Sequence, residues 1–125
     1  MHQITFATLP TLWGWMGVIA SPKGIRRLNL PVPSQNTALD KLKSETKDAV
    51  YDPSPFEKLR LRLEQYFMGE MVDFNDVLDL SKGAVFFQRA WKACVSIPRG
   101  ETRNYAWLAS QSGNPSAVRA AGQAM

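Results

Sequence analysis

The sequence is poor in the residues that most often carry metal or redox chemistry. It holds one cysteine, Cys94, and one histidine, His2. A single cysteine excludes an internal disulfide and fits a reducing compartment. One histidine and one cysteine are too few ligands for a zinc site. Cys94 lies in Trp91-Lys92-Ala93-Cys94-Val95, an apolar helical pattern with no histidine close in sequence, so it reads as a buried, inert thiol. Long hydrophobic runs are also missing. The nearest, Leu12 to Ala20, is short and interrupted by glycines. The N-terminus lacks the basic region and apolar core of a secretory signal. The expectation is a soluble protein of the cytoplasm, or of the nucleus in a eukaryote.

Acidic residues are scarce in one part of the chain. Residues 1–80 carry nine Lys/Arg against ten Asp/Glu, a net of about −1. Residues 81–125 carry Lys82, Arg89, Lys92, Arg99, Arg103 and Arg119 against Glu101 alone, a net of +5. Such a segment suits a phosphate-bearing partner, and equally an ordinary solvated surface. What the chain does have is apolar content: 45% of its 125 residues are hydrophobic, enough for a packed core.

Trp13 to Ala20 mixes aromatic and β-branched residues as strands do. With Gln3–Thr8 before it, the Ser21-Pro22-Lys23-Gly24 turn and Ile25–Leu30 after it, it predicts an antiparallel meander ended by Pro31 and Pro33. Residues 34–47 predict a surface helix with Leu39 and Leu42 on its inner side. Ser54 and Glu57 have capping-box spacing, with Pro55 at the first helical position. Phe56, Leu59, Leu63 and Phe67 follow as one buried stripe up to Gly69. Residues 71–80 predict a loop and a short strand, with Asp73, Asp76 and Asp79 along its solvated edge. The domain boundary is expected after Ser81, giving an α/β domain at 1–81 and a helical domain at 82–125.

In the second domain, Phe86, Ala90, Trp91, Ala93, Cys94, Val95 and Ile97 predict a buried helix ended by Pro98-Arg99-Gly100. Thr102 is placed to cap the next helix, which buries Tyr105 or Trp107 with Leu108 and Ala109. Gly113 supplies backbone freedom at its end. Asn114 caps a last helix, with Pro115 at its first position. Helix, tight turn and helix in this order form the pattern of a DNA-reading helix-turn-helix.

Phe86-Phe87-Gln88-Arg89-Ala90-Trp91, Ile97-Pro98-Arg99-Gly100-Glu101-Thr102, Tyr105, Asn114-Pro115 and the run Ala117 to Met125 stand in the order and spacing of a known family. They resemble the C-terminal domain of the O6-alkylguanine-DNA alkyltransferases, the methylated-DNA–protein-cysteine methyltransferases. Trp13-Gly14-Trp15, Ser21-Pro22-Lys23-Gly24 and Tyr66-Phe67-Met68-Gly69 are similar to that family's N-terminal domain, with less specificity.

The resemblance implies a small ribonuclease-H-like α/β domain followed by a winged-helix-like DNA-binding domain, incomplete in this chain. It implies a monomer that binds double-stranded DNA containing O6-alkylguanine and needs no metal or cofactor. The family docks its helix-turn-helix in the minor groove, rotates the damaged guanine out of the stack, and moves the alkyl group from O6 of guanine (or O4 of alkylthymine) to a cysteine. Extrusion is required because the O6 atom is shielded in a duplex, and a thiolate is a soft, strong acceptor for an alkyl group. By the same resemblance, Arg119 is the finger that fills the gap left by the base. Tyr105 crowds the neighbouring phosphate. Thr102 and Asn114 lie along the DNA backbone, and the small Ala117, Ala120 and Ala121 let the helix approach closely.

The family's Pro-Cys-His-Arg motif and its later glutamate do not occur in this sequence. The nucleophile is expected beyond Met125, so none of the 125 residues is assigned as catalytic and the chain is read as an inactive fragment. Phe87 and Asn104 depart from the glutamine and small hydroxyl residue common at those places. Two other functions stay open at this point: a lesion-binding relative without the nucleophile, and a transcriptional regulator built on the same motif.

Overall fold

The structure, a computed structural model, describes residues 3–125; His2 lies outside the described residues. Two compact units are present, Met1–Asp79 and Leu80–Met125.

The first unit is built on a four-stranded sheet. Strands β1 (Thr5–Thr11), β2 (Gly14–Ser21) and β3 (Gly24–Leu28) form the expected antiparallel meander. The sheet is mixed rather than antiparallel throughout, because β4 (Val50–Tyr51) pairs parallel to β1 at the edge, giving the order β3-β2-β1-β4. Strand alternation then sorts side chains to two faces. Ala7 and Leu9 of β1 join Met16, Val18 and Ala20 of β2 in one core cluster. Helix α2 (Glu57–Phe67) closes that cluster with Leu59 and Leu63, helped by Phe56, and Phe67 packs at its margin. Helix α1 (Gln35–Leu42) packs on β1 and β2 and buries Ala38 and Leu42, while Leu39 is only half-buried.

Three local expectations for this unit need correction. The capping box does not form. Asp52 Oδ1 accepts from the Ser54 amide at 3.0 Å and from its hydroxyl at 2.7 Å, so the hydroxyl is used in a preceding turn. Residues 54–56 form a 3-10 turn, and α2 starts at Glu57, whose carboxylate accepts from Arg60 at 2.6 Å. Residues 71–80 contain a single parallel bridge, Leu78 to Ile25, and no strand. The acidic edge is not uniformly solvated. Asp79 is buried and its Oδ2 accepts from the Ser21 hydroxyl at 2.5 Å and from Arg26 Nε at 2.8 Å, while Asp76 pairs with Arg62.

The second unit holds α3 (Val85–Val95), α4 (Tyr105–Gln111) and α5 (Val118–Ala124). Ala90, Leu108, Ala109 and Ala121 form its core, with Phe86, Ala93, Trp107 and Ala124 packed around it. Small residues dominate, so the three helices approach closely. Trp91 Nε1 donates to the Ala124 carbonyl at 2.8 Å and ties α3 to the end of α5. Cys94 is exposed, against the expectation of a buried thiol, and Val95 is 66% exposed. The buried stripe of α3 runs through Phe86, Ala90 and Ala93; Val95 falls opposite it and Cys94 at its margin.

Candidate nucleic-acid interface

The turn between α4 and α5 follows from its sequence. Gly113 has φ +96°, which a residue with a side chain rarely adopts. Its amide donates to Ser110 O at 3.1 Å, and the Asn114 amide donates to Ala109 O at 3.1 Å. This pair of bonds is a Schellman stop. Ser112 is buried beneath the turn and returns its hydroxyl proton to Leu108 O at 2.7 Å.

Both helix caps differ from expectation. Asn104, not Thr102, caps α4: its Oδ1 accepts from the Trp107 amide at 2.8 Å. Thr102 lies two residues too early, is exposed, and uses its carbonyl to accept from Arg103 at 2.9 Å. Asn114 caps the turn ahead of α5 rather than the helix. Its Oδ1 accepts from Ser116 Oγ at 2.7 Å and from the Ser116 amide at 3.3 Å, and α5 begins after Ala117.

Helix α5 is two-faced. Ala121 is fully buried, with Ala117, Ala120 and Ala124 partly covered beside it. Arg119 stands on the opposite side, exposed, with no ion pair among the described residues. Ala121 therefore belongs to the helix packing and leaves the set of residues available to a partner, while Ala120 lies at the edge between the two faces.

Tyr105, the first residue of α4, is 53% exposed. Its ring lies against Gly122 of α5, one turn beyond Arg119; a Cβ at residue 122 would come within 3.2 Å of Tyr105 Cδ2 and Cε2. Tyr105 of α4 thus lies on α5 three residues beyond Arg119, the other residue singled out for base extrusion. The sequence alone gives no sign of the Tyr105–Gly122 contact.

Most of the basic charge of residues 81–125 is open to solvent. Lys82, Arg89, Lys92 and Arg99 are all exposed. Arg89 Nη1 would stand 3.4 Å from a Cβ on Gly113, placing this guanidinium beside the turn. Arg103 is the basic residue held in place. It pairs with Glu101 at 2.8 Å and sits over the Trp107 ring, 5.5 Å from the centroid, in cation–π geometry. Among the described residues no group of three or more His, Cys, Asp or Glu could hold a metal, and no helix is long and apolar enough to cross a membrane.

Residues 85–125 match the family model described as the DNA-binding domain of 6-O-methylguanine DNA methyltransferase. The methylated-DNA–protein-cysteine methyltransferase of Mycobacterium tuberculosis is 48% identical over 73 residues, which span 58% of this chain and 44% of that protein. The constitutive enzyme of that name from Bacillus subtilis is 50% identical over 64 residues, 50% of this chain and 38% of that one. The matched segments thus span less than half the length of these relatives. Among solved structures, Mycobacterium tuberculosis O6-methylguanine methyltransferase superposes with a TM-score of 0.74 at 32% identity, over 98% of this chain and 69% of that one. Mycobacterium tuberculosis OGT in complex with DNA superposes with a TM-score of 0.76 at 32% identity, over 96% of this chain and 68% of that one. The α/β unit, the three-helix unit with its helix-turn-helix, and these likenesses together place the chain in the methylated-DNA–protein-cysteine methyltransferase family.

Proposed function

We propose that this chain binds duplex DNA through α4 and α5 and rotates an O6-alkylated guanine out of the stack, as the recognition part of direct-reversal repair. The carrying observation is the placement of Arg119 and Tyr105: an exposed guanidinium with no ion pair among the described residues, three residues before Gly122, on which the half-exposed phenol ring of α4 lies. A guanidinium is planar, can stack where a base has left, and can donate hydrogen bonds from its edge. The ring of Tyr105 supplies bulk beside the neighbouring phosphate. Thr102, ahead of α4, and Asn114, in the turn between α4 and α5, serve as backbone contacts, and Ala117 and Ala120 keep the approach to the groove free of bulk. The net +5 of residues 81–125 attracts the phosphates by counterion release. Functionally the division falls between an α/β domain at 1–81 and the DNA-reading domain at 82–125.

In the repair reaction a thiolate sulfur attacks the alkyl carbon. A new S–C bond forms as the O6–C bond breaks, and guanine leaves with that electron pair. Cys94 is not this acceptor. It lies on α3 rather than on the α4–α5 surface, and the sequence supplies no histidine beside it. By themselves these 125 residues transfer no alkyl group.

The test is fluorescence anisotropy with paired duplexes, one carrying O6-methylguanine and one undamaged, in several sequence contexts, followed by intact-protein mass spectrometry. Tighter binding to the lesion in every context, with no added methyl mass, is the expected result. Binding that follows sequence and ignores the lesion would identify a regulator instead, and a methylated Cys94 would overturn its exclusion.

A further inference from the structure

Gly122 is the α5 residue whose missing side chain is filled by another residue of the interface. A Cβ there would approach two ring carbons of Tyr105 to 3.2 Å, tighter than ordinary van der Waals contact. Tyr105 opens α4 with the residue about half exposed, and the fixed feature at this helix start is the Asn104 cap on the backbone. The ring direction is therefore set by the surface on which it lies. That surface is the bare backbone of α5 at residue 122, three residues after Arg119.

From this we infer that Gly122 is a positioning residue for base extrusion, acting through Tyr105. By leaving room for the ring, it lays the phenol along α5 and brings it beside Arg119. A methyl group at this position lifts the ring by a few tenths of an ångström and swings the far end of the side chain, its hydroxyl, further. Alanine is also the better helix former. Gly122→Ala is therefore expected to keep or raise the stability of α5 while misplacing Tyr105, a combination that a purely structural glycine does not produce. The inference rests on the proposed DNA function and goes beyond it in assigning the tyrosine's direction to a second helix.

The experiment is a double-mutant cycle on the full 125-residue chain. Extrusion is read from the fluorescence of 2-aminopurine placed next to O6-methylguanine in a duplex, and affinity for undamaged duplex is read in parallel. Wild type, Arg119→Ala, Gly122→Ala, Tyr105→Leu and the Gly122→Ala/Tyr105→Leu pair are compared, with thermal midpoints for each. Expected are at least a ~3-fold smaller extrusion equilibrium for Gly122→Ala, an undiminished thermal midpoint, and no further loss when Gly122→Ala is added to Tyr105→Leu. If the two losses multiply, Gly122 acts directly on DNA and the inference is wrong. Gly122→Ala equal to wild type while Arg119→Ala loses the signal also removes this inference, and leaves the proposed function standing. Absence of any signal, or an Arg119→Ala variant equal to wild type, removes the function and the inference together.

Discussion

At the scale of single residues, Asp79 and Arg119 use charge in opposite ways. Asp79 is buried and bonded to Ser21 and Arg26, so its charge holds structure. Arg119 is exposed and has no ion pair among the described residues, so its charge is available to a partner. Their alanine variants should separate cleanly in urea denaturation. Asp79→Ala leaves the Arg26 guanidinium and the Ser21 hydroxyl without their carboxylate and should cost about 2 kcal/mol. Arg119→Ala should stay within about 0.5 kcal/mol of wild type. A destabilised Arg119→Ala would mean that this side chain supports the fold. Both roles are only half legible in the sequence. Arg119 stands out through its setting in a family motif. Asp79 looks like one more solvated acid, because its partners lie on β2 and β3, more than fifty residues earlier.

At the scale of elements, periodic signals are the readable ones. The β1–β2–β3 meander and the stripe Phe56, Leu59, Leu63 and Phe67 show in the sequence because each repeats one chemical type at a fixed spacing. Strand β4 does not, since a two-residue parallel strand has no period to detect. Helix caps are ambiguous where two eligible residues compete. Ser54 has the right spacing for α2, yet Asp52 takes its hydroxyl first. Thr102 and Asn104 both precede α4, and only Asn104 reaches the Trp107 amide. Asn104→Ala should therefore cost about 1 kcal/mol of stability and Asn104→Ser much less, while Thr102→Ala should be nearly neutral. Denaturation midpoints for the three variants check this; a costly Thr102→Ala with a neutral Asn104→Ala would reverse the assignment. In α2, the Arg60 hydrogen bond holds the Glu57 carboxyl below its ordinary range. That small contribution is present above the unfolded carboxylate pKa and is lost as pH falls through the lowered value.

At the scale of the whole molecule, the charge asymmetry is the feature with functional reach. Residues 1–80 are nearly neutral and residues 81–125 carry +5, with Arg89 beside the helix-turn-helix turn. Reversing Lys92 and Arg103 to glutamate should weaken binding to undamaged duplex and lower the slope of log affinity against log salt by about 0.9 for each phosphate no longer neutralised. Titrations at several salt concentrations decide it; an unchanged slope would mean that these side chains point away from the DNA. Arg103 also bonds Glu101 and covers Trp107, so the unreversed Lys92→Ala serves as the control for disturbed packing. The division into two units is legible from the shift in charge and texture near residue 80. The arrangement of Tyr105 on Gly122 is not, because a contact between two helices leaves no local trace in either.

The most direct measurement of the central claim is the crystal structure of this chain bound to a duplex carrying O6-methylguanine. The account predicts the Arg119 guanidinium inside the base stack, in the place vacated by the modified nucleotide, with Tyr105 against the adjacent phosphate. A modified guanine still stacked in the helix, with Arg119 lying outside along the phosphates, would contradict it.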